Sequence, residues 1–329
     1  MQLDFTSDQE ELRDSIRTVL EKECTRAVVR EHVDRVVAGK PSDAPERLWK
    51  TFVSLDWPAL TVPEEHGGIG LGYPELAVVA EELGRVLALG PLLTTMAGFV
   101  PLLREAEGGG AWLERVASGE ISGTAAYDGH ALCGAEADHV AVVGDGEIVI
   151  TEAAGSAINS LDLTRTITRP SSDGARLAIN DDGIRKAREE LTVALAFELV
   201  GTCQTIFDTN LEYAKERRQF GVPIGSFQAV KHKLTNMFVA IERARALCIF
   251  ATATIHEDDP RRTTATSAAK AAAGDCQRLV AQDGIQLLGG IGYTWEHDQH
   301  FFVKRAKVSD ALLGNASHHR QLIADALGL

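Results

Sequence analysis

Two arginines stand beside a turn in the segment from Arg217 to Leu234, which reads RRQFGVPIGSFQAVKHKL. A long apolar stretch typical of a helix precedes them, and a second helix is predicted to begin near Phe227. Guanidinium groups bind phosphate oxygens through paired hydrogen bonds, so this arrangement favours a phosphate-bearing ligand. Lys231 and Lys233 follow closely and complete the densest basic cluster of the chain.

A second run, QLLGGIGYT from Gln286 to Thr294, closes another predicted helix with glycines. Glycine allows backbone to turn sharply and to approach a ligand without an intervening side chain. The run is therefore a candidate for close backbone contact with the same ligand.

The 329-residue chain as a whole is acidic, with a formal charge of −14. This charge disfavours nucleic-acid binding, which needs a basic face, and leaves only local clusters for phosphates. No apolar run suggests a membrane span, and the acidic N-terminus does not resemble a signal peptide. Five scattered cysteines without a C-x-x-C pair are typical of reduced thiols. We therefore expect a soluble cytoplasmic protein with neither a membrane nor a nucleic-acid partner.

Hydropathy patterns predict a mainly α protein in three parts. An α-helical domain covers residues 1–117, a reduced β domain 118–184, and an antiparallel four-helix bundle 185–329. In the first part, Ser7 and Glu10 form a predicted capping box that opens a helix through about Val37. In the middle part, Gly144-Asp145-Gly146 separates the two strands of a predicted hairpin. The last helix of the bundle is predicted over residues 310–327.

The two runs, in this order and spacing, resemble the C-terminal domain of the acyl-CoA dehydrogenase family of flavoenzymes. The N-terminal LDFTSDQEELRDSIRTVL and the later LTVPEEHGGIGLGYPELAVVAEELGRVLALGP resemble the same family. About three-quarters of the chain is covered, on the usual convention of 100–200 residues per domain. The middle part matches poorly.

The resemblance implies that both runs contact the ADP end of FAD across a subunit interface. The matching positions in the two runs are Arg217, Gln219, Phe220, Gln228, Gln286, Gly289 and Gly290. The alternative from the residues alone is that Arg217 complements a helix C-terminus, where a cation gains up to ~1 kcal/mol, and that the glycines merely end a helix.

The resemblance also implies a glutamate base that removes a proton from the α-carbon of an acyl thioester while hydride leaves the β-carbon. The two positions where family members place it are occupied by Leu313 and Leu191. Leucine cannot accept a proton, so the chain has no predicted catalytic residue. Glu189 and Glu190 adjoin the second position, but a shift of one or two residues turns a helical side chain by about 100–200°. They are predicted to be solvated acids that complement the helix dipole.

Two further departures from the family concern the middle domain and the last third of the chain. The family's Thr-Glu-Pro-x-Ala-Gly-Ser-Asp loop and Trp-x-Thr segment, which hold the isoalloxazine and the thioester, are absent. Only Thr151-Glu152-Ala153-Ala154-Gly155-Ser156 echoes the loop. Lys304-Arg305-Ala306-Lys307 stands where the family reads Arg-Asp-Ala-Lys, so a structural carboxylate is replaced by a cation.

Histidines offer no metal site by spacing. His297 and His300 in HDQH are not a helical i, i+4 pair, and a surface or interface role is expected. His318 and His319 at a helix start are predicted to be a solvated pair or a partner contact.

These observations predict a subunit without a base in a heteromeric FAD-dependent acyl-CoA dehydrogenase, resembling the short chains of α2β2 enzymes that act on sterol side-chain CoA thioesters. A full-length homologue would supply the base and bind the acyl-CoA substrate in its pocket. Two alternatives stay open: a self-sufficient homomeric dehydrogenase with an atypical carboxylate base, and a structural paralogue that has lost flavin.

Overall fold

The structure is a computed structural model that describes residues 3–153 and 155–329. These residues form two compact units. One contains residues 5–79 and 88–194, and the other contains residues 3–4, 80–87 and 195–329. Two helices, Tyr73–Val86 and Asp181–Glu216, contribute residues to both units.

The first unit begins with helices and ends with a sheet. Its helices are α1 (Ser7–Glu23), α2 (Arg26–Val37), α3 (Ala44–Val53), α4 (Tyr73–Val86, whose last residues belong to the second unit), α5 (Leu92–Thr94), α6 (Val100–Glu105) and α7 (Gly110–Ala117). A π-helical turn, Thr95–Phe99, joins α5 to α6, and all five of its residues are buried. The Thr95 hydroxyl of this turn donates to the Gly123 carbonyl at 2.9 Å and so links the helices to the sheet.

The sheet has seven strands in the order β5-β6-β2-β1-β3-β4-β7. Their bounds are β1 (Gly123–Tyr127), β2 (His130–Leu132), β3 (His139–Val143), β4 (Glu147–Glu152), β5 (Gly155–Ala157), β6 (Ile167–Pro170) and β7 (Ala175–Ala178). Only β1 and β3 pair in parallel, and the other pairs are antiparallel. The predicted hairpin around Gly144-Asp145-Gly146 is present as β3 and β4.

The second unit is helical. It contains most of α8 (Asp181–Glu216), then α9 (Gln228–His256), α10 (Arg262–Leu288), α11 (Gln299–Ala311) and α12 (Ala316–Ala326). A two-stranded ladder, β8 (Arg218–Gln219) and β9 (Val222–Pro223), lies between α8 and α9. The mainly α fold with a helical N-terminal part, a small middle sheet and C-terminal helices confirms the predicted fold class.

Three helix boundaries differ from the prediction. Thr6, not Ser7, caps α1, and Gln9 completes its capping box. The first helix also stops at Glu23, because Cys24 leaves helical geometry and the Thr25 side chain caps a new helix. The helix predicted over 310–327 is broken at residues 312–315, since Leu313 and Gly314 have positive φ and Asn315 caps α12.

α8 passes the length and composition test for a membrane span, but 83% of its most apolar window is buried inside the protein. Its apolar side chains therefore pack as those of a core helix do. The five cysteines are also buried and form no disulfide within the described residues, and burial raises the pKa of Cys24 to about 12.

Candidate functional site

The loop between α8 and α9 exposes a phenylalanine on a strained backbone. Phe220 and Gly221 connect β8 to β9, and both have positive φ, 51° and 82°. A two-residue hairpin turn of this kind normally has Asn or Asp at its first position, because a bulky side chain is disfavoured there. Phe220 is nevertheless 93% exposed, and its ring contacts the edge of the Phe227 ring at 6.1 Å between centroids. Backbone preference does not account for phenylalanine at this position, and the contact with Phe227 leaves most of the side chain exposed.

Arg217 has a fixed backbone and a free side chain. Its N–H donates to the Tyr213 carbonyl at 2.8 Å, and its own carbonyl accepts from Ile224 N–H at 2.8 Å. The exposed guanidinium makes no hydrogen bond or ion pair to any residue that the structure describes. By contrast, Arg218 Nη1 donates to the Gly221 carbonyl at 3.4 Å. The helix-capping alternative for Arg217 therefore finds no side-chain contact in its favour.

The two amides of the first run are also exposed. Gln219 Nε2 donates to the Arg218 carbonyl at 2.8 Å, within its own hairpin. Gln228 is the first residue of α9, and within the described part of the chain its side chain has no hydrogen-bond partner.

The second run forms the end of α10 and a 3₁₀ turn over Gly289–Tyr293. Gly289 has φ 65° and ψ −138°, a conformation that essentially only glycine adopts. Gly290 has no positive φ, and a Cβ built on it would meet no atom within 4 Å. Gln286 in the last turn of α10 is exposed, and Tyr293 beyond the glycines is 81% exposed. The chain itself thus requires glycine at position 289 but gives no reason for glycine at 290.

The helices bring the two runs to the same end of one helical hairpin. α9 and α10 are antiparallel neighbours joined by the short connection 257–261. An ion pair between Lys233 and Asp283 links the second turn of α9 to the last turns of α10. Residues 217–228 and 286–295 therefore lie at one end of this hairpin, which we call the exposed end.

Leu313, at one of the positions where the resembled family has its base, lies in a turn whose carbonyls are hydrogen-bonded to buried side chains. Lys270 Nζ donates to the carbonyls of Asp310 and Gly314, both at 2.8 Å. His319 Nε2 lies 3.1 Å from the Leu313 carbonyl, and its Nδ1 lies 3.3 Å from Ser267 Oγ. Burial lowers the pKa of Lys270 to about 8, against the opposing effect of Asp310. These groups fix the backbone, and the carboxylate among them, that of Asp310, accepts a hydrogen bond from Gln277 Nε2 on α10 at 3.2 Å.

The same contacts correct the prediction of a solvated histidine pair. His318 is exposed, but His319 is buried and bonded as described. The ring is buried because α12 packs against α10, a tertiary contact that local polarity does not reveal.

The other base position, Leu191, lies in a hydrocarbon environment. Leu191 is buried within α8, and a Cβ built on Gly98 of the π-helical turn would lie 3.5 Å from its Cδ2.

The prediction that Glu189 and Glu190 are solvated is wrong. They are only 6% and 7% exposed, and they lie in the third turn of α8 because the helix begins at Asp181. Arg185 Nη1 donates to both Glu189 oxygens at 2.9 Å, and Arg104 Nη2 donates to Glu190 at 2.6 Å. Burial alone would lower the pKa of Arg104, but the charge and hydrogen bond of Glu190 raise it above its usual value. Both carboxylates are thus committed to arginines.

A tight hairpin that the hydropathy patterns did not predict joins β1 to β2. Asp128 and Gly129 both have positive φ, and the Asp-Gly pair is a strong signal for this turn. Arg188 pairs with Asp128 at 2.9 Å and lies 5.3 Å from the centroid of the Tyr127 ring. Burial raises the pKa of Tyr127. Of the echo segment in residues 151–156, Ala154 lies outside the described residues, and the rest belongs to β4, β5 and their connection.

The cation that replaces a family carboxylate has a buried partner. Arg305 Nη1 donates to Glu198 Oε1 at 2.9 Å, and Ser309 Oγ donates to Glu198 Oε2 at 2.8 Å. Both charged side chains are 3% exposed. Arg305, the cation that stands where the family has an aspartate, is therefore neutralised by Glu198 on α8.

No group of three metal-ligating side chains that could hold an ion occurs within residues 3–153 and 155–329. The His300 ring packs against Trp295 and Phe301, with centroids 4.6 Å and 4.1 Å away. His297 Nδ1 accepts from Gln299 N–H at 3.2 Å.

Two sequence profiles match the flanks of the chain. The acyl-CoA dehydrogenase N-terminal domain matches residues 6–120, and the acyl-CoA dehydrogenase C-terminal domain matches residues 181–328. Neither extends over the sheet between them, in agreement with the poor match of the middle part.

The relatives and solved structures agree with these profiles. Acyl-CoA dehydrogenase IpdE2 of Mycobacterium tuberculosis is 34% identical over 311 residues, 93% of each chain. A chain of the ChsE4-ChsE5 complex from Mycobacterium tuberculosis is similar in fold, with a TM-score of 0.88 at 23% identity over 100% of this chain and 99% of that one. A variant of the Tcur3481-Tcur3483 steroid ACAD gives a TM-score of 0.85 at 22% identity over 98% of each chain.

Proposed function

The chain belongs to the acyl-CoA dehydrogenase family, and we propose that it is the subunit without a catalytic base in a heteromeric FAD-dependent enzyme of that family. The reaction is the α,β-dehydrogenation of a CoA thioester. In this proposal a full-length homologue holds the substrate and the base, and the present chain contributes contacts to the ADP side of FAD across the interface.

The observation that carries the proposal is Phe220 at the exposed end. A left-handed backbone costs a non-glycine residue about 1–2 kcal/mol. An exposed phenyl ring also contributes none of the hydrophobic free energy that its burial would provide. Such an outlier points to a function that compensates for it. An exposed aromatic ring and an unpaired guanidinium three residues apart in the chain suit an adenine and a pyrophosphate.

The other residues of the exposed end also fit the ADP half of FAD. Solved structures with this fold include complexes with FAD and FADH2. Gln228 and Gln286 present amides without partners among the described residues, and both can donate and accept hydrogen bonds. Gly290 has no requirement for glycine inside the chain, whereas a closely approaching ligand would impose one. When bound, FAD supplies the acceptor for the hydride that leaves the substrate.

At the two positions where the family has its base, the chain offers no group to accept the accompanying proton. Removal of a weakly acidic α-proton needs a carboxylate in contact with the substrate, with a pKa raised towards the working pH. Leu191 and Leu313 cannot act in this way, and Glu189 and Glu190 are each hydrogen-bonded to an arginine. The base therefore comes from the partner chain.

The substrate class and the assembly follow by analogy with the structural relatives. One relative is a chain of a two-protein complex, and another is described as a steroid ACAD. We assign the present chain to a cytoplasmic α2β2 heterotetramer with two flavins, acting on a sterol side-chain acyl-CoA and not on nucleic acid or membrane. In the same proposal, residues 1–117, 118–184 and 185–329 are its three domains.

The first test measures FAD retention by the co-expressed pair after dialysis. Arg217→Ala should weaken FAD binding roughly ten- to hundredfold, since a charge-assisted hydrogen bond contributes about 1.5–3 kcal/mol. Arg218→Ala is the matched control, because its guanidinium already contacts the Gly221 carbonyl. Unchanged flavin content in the Arg217 variant, or equal loss in both, would rule out the assignment of Arg217.

The second test is native mass spectrometry of the same pair. Two heterodimers related by closed two-fold symmetry should carry two flavins, because each heterodimer has one base-bearing pocket. Four flavins would contradict the model. A homotetramer of this chain alone with bound FAD and turnover would instead support the self-sufficient alternative, and a pair without flavin would support the structural one.

A further inference from the structure

A groove of about 760 Å³ opens beside the loop that precedes α9. Its walls are the C-terminal part of α8, the loop residues 223–226 and the N-terminal half of α9. The lining residues are Phe207, Leu211, Ala214, Lys215, Pro223, Gly225, Ser226, Lys231, Leu234, Thr235 and Phe238. None of the seven residues assigned above to FAD is among them, although Pro223, Gly225 and Ser226 belong to the exposed end and the groove therefore adjoins it.

Two helix faces make the interior of the groove apolar. Phe207, Leu211 and Ala214 recur at helical spacing on α8, as do Leu234 and Phe238 on α9. The Phe207 and Phe238 rings are 5.9 Å apart between centroids, and Phe238 is 48% exposed. The rings leave an open apolar surface where a soluble chain ordinarily places polar side chains.

The charged side chains of the lining are both cations. Lys215 forms an ion pair with Glu212 at 2.6 Å. The Lys231 ammonium has no hydrogen bond or ion pair to a residue that the structure describes, whereas the backbone N–H of this residue donates to the Phe227 carbonyl at 3.1 Å. It lies in the first turn of α9, where no acid stands and Phe227 provides no side-chain cap, so the positive end of the helix adds to its charge. In a chain of formal charge −14, this is a local positive site next to apolar surface.

We propose that this groove binds an amphipathic carboxylate, an aliphatic acid. The apolar body would lie against Phe207, Leu211 and Phe238, and the carboxylate would meet the Lys231 ammonium. The volume falls within the range of about 300–1,000 Å³ that small-molecule sites have, and such sites combine apolar walls with a few placed polar groups. The inference rests on the groove alone and does not depend on the proposed function.

The test is calorimetric titration of the full-length chain, and of the co-expressed pair, with decanoate below its micelle concentration and with 1-decanol. Decanoate should bind roughly tenfold more tightly than decanol, as expected for one partly exposed charge-assisted contact. Lys231→Gln should remove this difference between the two ligands. The matched control is Lys307→Gln, an exposed lysine of α11 outside the groove, and it should leave the difference intact.

A second variant tests the apolar wall. Phe238→Ala should weaken both ligands by the same factor and leave the ratio between them unchanged. The proposal is overturned if decanoate shows no saturable binding, or if the two lysine variants behave alike. Displacement of decanoate by ADP would assign the groove to the nucleotide. Binding by the single chain but not by the pair would assign it to the subunit interface, which also overturns the proposal.

Discussion

The exposed end of the α9–α10 hairpin and the polar interior of the same unit treat their charged and polar side chains in opposite ways. In the interior, Glu198 is bonded to both Arg305 and Ser309, and Lys270 donates to two carbonyls. At the exposed end, the Arg217 guanidinium has no partner among the described residues, and Phe220 lies in solvent on a strained backbone. Unpartnered polar groups are tolerable only where water or a ligand reaches them. The difference indicates that the interior is complete in the single chain, whereas the exposed end is arranged for an outside partner.

The largest effect should come from breaking the buried ion pair. Glu198→Gln leaves the Arg305 charge buried without its counter-charge, so the free energy of unfolding should fall by about 3–5 kcal/mol. Denaturant unfolding measures it. The control is Glu147→Gln, which breaks an exposed pair with Arg176 and should cost at most about 1 kcal/mol. Equal losses of unfolding free energy in the two variants would show that the buried pair contributes no more to stability than an exposed one.

The next effect is a pH dependence from Lys270. Its pKa is lowered from 10.5 to about 8 because burial penalises the ammonium. Between these values the unfolded chain binds more protons than the folded one, so stability should rise with pH in this window and the penalty is complete below it. The rise is on the order of 3 kcal/mol, at about 1.4 kcal/mol per pKa unit. Lys270→Met should remove this component from the unfolding free energy measured between pH 8 and 10.5.

The control for the pH profile is Lys307→Met, which changes an exposed lysine on the neighbouring α11 and should reproduce the wild-type profile. If the Lys270 variant keeps the wild-type slope, the buried ammonium is not its source. That result would contradict the inference that a charged Lys270 holds the turn at Leu313.

The smallest effect concerns Phe220. Asparagine tolerates the left-handed region, so Phe220→Asn should stabilise the free chain by about 1 kcal/mol while reducing FAD retention in the co-expressed pair. Phe220→Ala is the matched control, because it removes the ring but keeps an unfavourable backbone. It should reduce FAD retention without stabilising the chain. Thermal unfolding and flavin absorbance report the two effects separately, and destabilisation by Asn would contradict the strain at this position.

The existence of a helix was predictable where the local apolar pattern was strong. The predicted helix boundaries were wrong where capping interactions determine the helix ends. The apolar period of α9 and α10 sufficed for their existence, and the Gly144-Asp145-Gly146 segment for its hairpin. The break at Cys24 was missed because Thr25 is an ordinary polar residue until its hydroxyl accepts from Val28 N–H. The break near Leu313 was missed because its positive φ is held by distant groups, Lys270 and His319.

The sequence by itself determined which residue types are available. It supplied leucines at both base positions, the arginines and glycines of the two runs, and the acidic overall charge. These properties are local and need no knowledge of packing, which is why they also carried the resemblance to acyl-CoA dehydrogenases.

Only the tertiary structure decided which of the charged groups are free. Glu190 meets Arg104 across 86 residues of sequence, and Glu198 meets Arg305 across 107. Such pairs form because helix packing brings distant side chains together. A charge removed from water is costly unless an opposite charge or a hydrogen bond compensates for the lost hydration. The same packing left Arg217 and Lys231 outside, where solvent imposes no such requirement.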